Sequence, residues 1–360
     1  MPLFVRYFLV IIGAALLITL ITFFIWKPQT SKPIDTTKTN VQSQGMAGIY
    51  FSEDGGASWK VLPGSEEIVP LVFAEKNGSV GGMYVGTESS GLWILKEGSK
   101  TLEQIKDQKG NFENTSRIDS IAQTADGTRV YVSVFQKKQG SVVSLAESGS
   151  EIVYKAPLGG YGIFGVLVGQ FDPVHISVAV GDGTFLESRD GGRTKYWAPL
   201  ALTAQGLVKL IAHPKKAGKY WALGNKNLLY VTNTAGQSWE ERPLFQIEGK
   251  KLSTINDIKY VPKRDSLFAA SNYGLIESAD DGKTWHGFRT PVPPLTITVG
   301  AVAAHPNFEE VFWFSVGNQI FRTDDGGISW RGTILPTAKI ISMVQVSTVN
   351  PKIIYAGTHK

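Results

Sequence analysis

One short pattern recurs along this chain and narrows its fold more than any other feature. It reads Ser52-x-Asp54-x-Gly56-x-x-Trp59, then Ser278-x-Asp280-x-Gly282-x-x-Trp285, then Thr323-x-Asp325-x-Gly327-x-x-Trp330. Two weaker copies lie between the first and second. In Ser188-x-Asp190-x-Gly192 the aromatic, Trp197, comes two residues late; in Thr232-x-Thr234-x-Gly236-x-x-Trp239 a threonine replaces the aspartate. Each copy follows an alternating apolar stretch such as Gly48–Phe51 or Gly274–Glu277. The chemistry is that of a tight turn between two strands. The Asp and Ser/Thr oxygens accept backbone N–H groups, and the Gly adopts an angle that a Cβ would resist. The Trp is expected to fold over its own hairpin, contributing about 2–3 kcal/mol by burial.

The tryptophans set the period. Steps of 42, 46 and 45 residues separate Trp197, Trp239, Trp285 and Trp330, and the 138 residues from Trp59 to Trp197 are three periods of 46. Two units without the pattern therefore fall in that gap, one through Gly91–Ile94 with Leu102 in the Trp position, one through Val130–Ser133 and Val142–Ser144. A second marker agrees. Turn signals occur at Asn77-Gly78, Asp126-Gly127, Asp172-Pro173, His213-Pro214, Val261-Pro262, His305-Pro306 and Asn350-Pro351. Units of about 45 residues with four short strands each are propeller blades. The final strand, Ile353–Thr358, lacks its partners, and Gly48–Leu62 supplies them. The expectation is an all-β, seven-bladed propeller over residues 47–360, closed by a blade shared between both ends.

The remaining residues differ in kind. After a short head (1–6), Tyr7 to Trp26 is uncharged and apolar, with rings at both ends. Twenty helical residues span about 30 Å, a bilayer core. The run is too long for a cleaved signal and lacks its small-residue site, so an uncleaved transmembrane anchor is expected. Residues 27–46 read as a polar tether. The short head favours a single-pass membrane protein with an extracytoplasmic propeller, although Lys27, Lys32 and Lys38 follow the span.

Chemistry is sparse. Cysteine is absent, which removes disulfides, thiolate metal sites and cysteine nucleophiles together. The first 46 residues carry Arg6, Lys27, Lys32 and Lys38 against Asp35, a net of +3 out of +5, leaving +2 for the rest. That is too little for a nucleic-acid surface. The histidines form no metal-binding spacing, and His213 and His305 occupy turn corners that Asp172 and Asn350 fill elsewhere. Pairs such as Asp280-Asp281-Gly282 are too short for a calcium loop. No metal, cofactor or catalytic residue is assigned. The lysines at 215, 216, 219, 250, 251 and 259 read as solvated loop charge.

The repeated S/T-x-D-x-G-x-[ST]-W resembles the Asp-box of sialidase-repeat and sortilin-like propellers. The string Gly357-Thr358 joined to Gly48-Ile49-Tyr50-Phe51-Ser52-Glu53-Asp54-Gly55-Gly56, echoed at Gly86-Thr87 and Gly91-Leu92-Trp93, is similar to repeats of the photosystem II stability/assembly factor-like family. The resemblance implies a non-catalytic helper that holds a membrane-protein partner during assembly, and the expectation is a monomeric, membrane-anchored propeller that binds a protein partner or a cell-surface polymer without chemistry. The alternative is a glycan-active enzyme of sialidase or xyloglucanase type. Phe288-Arg289-Thr290-Pro291 echoes the sialidase F/Y-R-I-P motif, but late in the chain.

Overall fold

The computed structural model describes residues 45–359, apart from 78, 80, 81, 170, 201–205, 244 and 248. The expected anchor and nearly all of the tether lie outside these residues. Among the described residues no helix is long and apolar enough to cross a membrane.

Seven four-stranded antiparallel sheets and one two-stranded hairpin make up the described β-structure. Six sheets are consecutive in the chain. Blade one covers 70–104, blade two 121–155, blade three 163–200, blade four 207–241, blade five 255–287 and blade six 302–334. Blade seven takes its inner strands, Ile340–Val346 and Ile354–His359, from the end of the chain and its outer strands, Ile49–Ser52 and Lys60–Val61, from the beginning. Ile49 pairs with Gly357 and Ser52 with Ile354. The seam is stitched further by Gly48 N donating to Thr358 Oγ1 at 2.8 Å and Thr358 N to Gly48 O at 3.1 Å. The expected fold and its closure are both present.

The burial pattern follows from this layering. Second strands such as Met83–Thr87, Ile176–Val180 and Tyr220–Gly224 are buried throughout, because both faces of a blade pack on neighbours. Seven apolar clusters form the core, one at each seam between blades. The extra hairpin, Gln246–Ile247 with Lys250–Lys251, lies between blades four and five, where Phe245, Ile247 and Leu252 enter that seam.

Inner strands carry a recurring irregularity. In blades one, three, four, five and seven the register shifts after the first residue, at Pro70/Val72, Ile163/Gly165, Leu207/Lys209, Ile255/Asp257 and Ile341/Met343. A bulge re-aims side chains. The skipped residues Leu71, Phe164, Val208, Asn256 and Ser342 all line the axial cavity.

Candidate functional site

The five recurrent turns join third to fourth strands, and their polar residues close on themselves. In the first, Ser52 Oγ donates to Asp54 Oδ1 at 2.7 Å and accepts Gly56 N at 2.7 Å. Asp54 also takes Ser58 Oγ at 2.5 Å and the N–H groups of Ala57 and Ser58 at 2.9 Å. Blades five and six repeat the scheme with Ser278, Asp280, Gly282 and Thr284, and with Thr323, Asp325, Gly327 and Ser329. In blade three Ser188 and Asp190 hold Gly192 N and Thr194 N. In blade four Thr234 Oγ1 accepts Ser238 N at 3.0 Å where an aspartate would sit, and Thr232 holds Gly236 N. These bonds keep the carboxylates ionised. The Ser58 hydroxyl first, then its N–H, draws Asp54 down to about 2, and Ser329 does the same for Asp325. Asp190 is also lowered, chiefly by the Thr194 hydroxyl.

The tryptophans do more than cover their own hairpins, as Trp59 does by donating to Gly56 O and Trp330 to Gly327 O. Each reaches into the seam with the preceding blade. Trp197 Nε1 donates to Val153 O of blade two at 3.0 Å, and its ring lies 5.2 Å from Tyr154. Trp239 meets Phe185 of blade three edge-on at 5.3 Å, and Trp285 meets Phe245 at 4.7 Å. Trp330 Nε1 is shared between Gly327 O and Arg289 O, both at 3.2 Å. Trp59 packs on the cluster around Trp313, whose own Nε1 donates to Gly55 O at 3.2 Å. Leu102, in the Trp position of blade one, is buried in the seam with blade seven. The residues around Arg289 that echo a sialidase motif thus serve a seam contact.

The corner positions act as small caps. His213 Nδ1 accepts Lys215 N and Lys216 N, and His305 Nδ1 accepts Asn307 N and Phe308 N. Asp126, Asp172 and Asn350 each accept the N–H two residues on. The imidazoles therefore substitute for the Asx oxygen of a turn. Among the described residues no group of His, Asp and Glu could hold a metal ion.

The axial cavity, about 710 Å3, is lined by the inner strands of all seven blades. Its wall is mostly apolar, with Phe73, Phe164, Leu210 and Met343, but it contains a charged group that the sequence reading missed. The bulges of blades four and five bring Lys209 Nζ onto Asp257 Oδ1. Asp257 Oδ2 accepts Val302 N at 3.3 Å, and Lys259 Nζ reaches blade seven to donate to Val344 O at 2.6 Å. Burial pulls Lys259 down to about 8. Burial also opposes the charge on Asp257, yet Lys209 and Lys259 together hold its pKa below the usual carboxylate value. A second lining carboxylate, Asp119, is clasped bidentately by Arg117. The available signal was a lone lysine inside the apolar run Leu207–Ala212, and Asp257 and Lys259 among the apolar residues of Ile255–Val261.

Lys259 is thus a channel residue and not loop charge. Lys219 is also half-hidden, paired with Asp281 at 2.7 Å and placed over Trp221. Lys250 and Lys251 are exposed, as expected.

No family profile and no curated protein matches the chain. Solved structures do match in fold. YCF48 from Cyanidioschyzon merolae aligns at 14% identity and TM-score 0.65, covering 84% of this chain and 99% of that one. YCF48 bound to D1 peptide aligns at 12% identity and TM-score 0.62, over 81% and 92% of the two chains. The GH74 enzyme of Niastella koreensis aligns at 16% identity and TM-score 0.54, over 81% of this chain but only 44% of the enzyme. At these identities the likeness is one of fold alone, and that fold is found both in a protein bound to a peptide and in an enzyme.

Proposed function

We propose that this protein is a non-catalytic propeller that binds a protein partner, held at a membrane by its amino-terminal apolar segment with the propeller outside the cytoplasm. One observation carries the reading. The ring accounts for nearly the full length of both YCF48 chains, one of them bound to D1 peptide, yet for less than half of the GH74 enzyme.

The channel supports the same side. A glycosidase needs a carboxylic acid whose pKa is raised so that it holds a proton near neutrality. Among the described residues, every carboxyl with a shifted pKa is shifted down. The channel carboxylates Asp119 and Asp257 are both engaged by cations.

Cross-linking with mass spectrometry in intact membranes tests the proposal. Recurrent recovery of one membrane protein beside the propeller is the expected result. Turnover of a glycan by the purified protein, lost on replacing Asp119 or Asp257, would overturn it.

A further inference from the structure

Blade two lacks the recurrent turn, and its outer edge differs from every other. Outer strands elsewhere run two to four residues, from Lys60–Val61 to Arg331–Ile334. In blade two the outer strand, Gly149–Lys155, has seven residues. Long exposed edges invite pairing with another chain, and proteins usually shorten or cover them. Here a cavity of about 930 Å3 lies directly against the edge, between Glu151–Lys155 and the Tyr196–Trp197 pair of blade three. Outward-facing main chain is already in use there: Asn111 Nδ2 donates to Ser150 O at 3.2 Å and Trp197 Nε1 to Val153 O at 3.0 Å. Strand alternation turns Ile152 the same way as Ser150.

The walls of this cavity are cationic. Lys109, Lys155 and Lys195 face it, all exposed and none in an ion pair among the described residues, against a single acid, Glu151. Three lysines to one glutamate is a local net of +2, as large as the net charge of the whole chain after residue 46. Tyr196, 73% exposed, adds an apolar surface on the far side. The chain's own tether carries Lys27, Lys32 and Lys38 against Asp35, the wrong sign to occupy such a site.

We propose that the edge of blade two is a docking groove for an extended acidic segment of the partner protein. The segment lies along Glu151–Lys155, pairs its main chain with Ile152, and sets its carboxylates against Lys109, Lys155 and Lys195. This rests on the protein-binding reading above and adds where, and to what chemistry, the partner binds.

The test uses the full-length protein and a short fluorescein-labelled peptide of alternating glutamate and valine, titrated by anisotropy at about 50 mM salt, where charge pairs are weakly screened. Binding should weaken about tenfold or more in K109E/K155E/K195E, and by a smaller factor in Lys155→Glu alone. The lysine-for-glutamate peptide should not bind. Amide exchange in residues 151–155 should slow when the acidic peptide is present. Affinity unchanged by charge reversal, protection confined to another blade, or polygalacturonate binding these lysines where the peptide does not, would each overturn the groove. If the triple variant still cross-links to the same membrane neighbour as wild type, the groove fails while the protein-binding reading survives. If wild type cross-links to none, that reading fails first.

Discussion

Blades five and two are built on the same four-strand plan and finish it in opposite ways. In blade five the third strand ends at Ser278 and the fourth begins only at His286, because the turn that holds Asp280 and Trp285 occupies the residues between. The outer strand is left two residues long, and Trp285 is delivered into the seam with blade four. In blade two the third strand ends at Ala146 and the fourth begins at Gly149, so pairing continues from Gly149↔Ala146 to Lys155↔Ser141. No tryptophan is delivered to the seam with blade one; Ile152 packs there instead, half-buried. The recurrent turn therefore exchanges edge length for an aromatic seam anchor. Blade two, without it, keeps a seven-residue edge, whereas blade one, which also lacks it, stops its outer strand at three residues and fills the seam with Leu102 instead.

The largest expected effect comes from removing the anchor. Trp285→Ala should cost about 3–5 kcal/mol, the range for deleting a buried aromatic, since Trp285 is 6% exposed and packed at a tilt against Phe245. Ile152→Ala, on the half-buried flank of blade two, should cost about 1–2 kcal/mol. Urea midpoints at an unchanged slope read both. Equal costs would break the distinction between the two seams.

Next in size are the turn glycines. Gly282 has φ +83°, and a Cβ there would sit 2.4 Å from Leu229 Cδ2 inside the seam. Gly282→Ala should cost about 2–3 kcal/mol, combining left-handed strain with overpacking. Gly149 turns blade two with φ +106°, but its nearest neighbour is Lys109 Cε at 2.9 Å, on an exposed and flexible chain. Gly149→Ala should cost about 1 kcal/mol. The difference between the two in thermal midpoint measures how tightly each turn is wedged into its surroundings.

The ring count and its closure were legible because they depend on spacing. Trp59, Trp197, Trp239, Trp285 and Trp330 mark a near-constant step, and the missing half of the last unit sits at Gly48–Leu62. The destination of those tryptophans was not legible. A repeat fixes the conformation of each turn, whereas the surface its indole meets belongs to the preceding unit, forty or more residues away, as with Trp197 and Val153. The channel group was hidden for a related reason. Lys209 and Asp257 become partners only when bulges in two different strands aim them at one seam, and Lys259 finds Val344 O across the axis. The long edge of blade two was not legible either, since blade one lacks the motif as well and its outer strand, Leu102–Gln104, is short.

Acid should separate the blades further. Asp54 and Asp325 have folded pKa values of about 2, below their ordinary value of 3.8. A carboxyl depressed on folding contributes stability that is complete above the ordinary value and is lost as pH falls through the folded one. The urea midpoint should therefore drop between about pH 4 and pH 2, with a shallower drop in D54N/D325N. Both groups lie at the surface, so added salt should flatten the wild-type drop as well. The corresponding turn of blade two, Glu147-Ser148, carries no aspartate, and substitutions of Ser148 should leave the acid slope as it is.

Blade four supplies the smallest and sharpest case, since its turn keeps the threonine and tryptophan but not the acid. Thr234 Oγ1 accepts Ser238 N at 3.0 Å and lies 2.9 Å from Ser238 Oγ, so the turn already closes with a neutral acceptor. Thr234→Asp replaces that with a charged one of the same reach, with Thr232 Oγ1 and Ser238 Oγ placed as Ser52 and Ser58 are placed around Asp54. A charge-assisted bond exceeds a neutral one by about 0.5–1 kcal/mol. The variant should gain that amount at pH 7 and lose most of it as the pH falls from about 4 to 2, towards the folded pKa of the equivalent Asp54 and Asp325. A gain that persists in acid would mean that packing, rather than the ionised acceptor, distinguishes blade four from blades five and six.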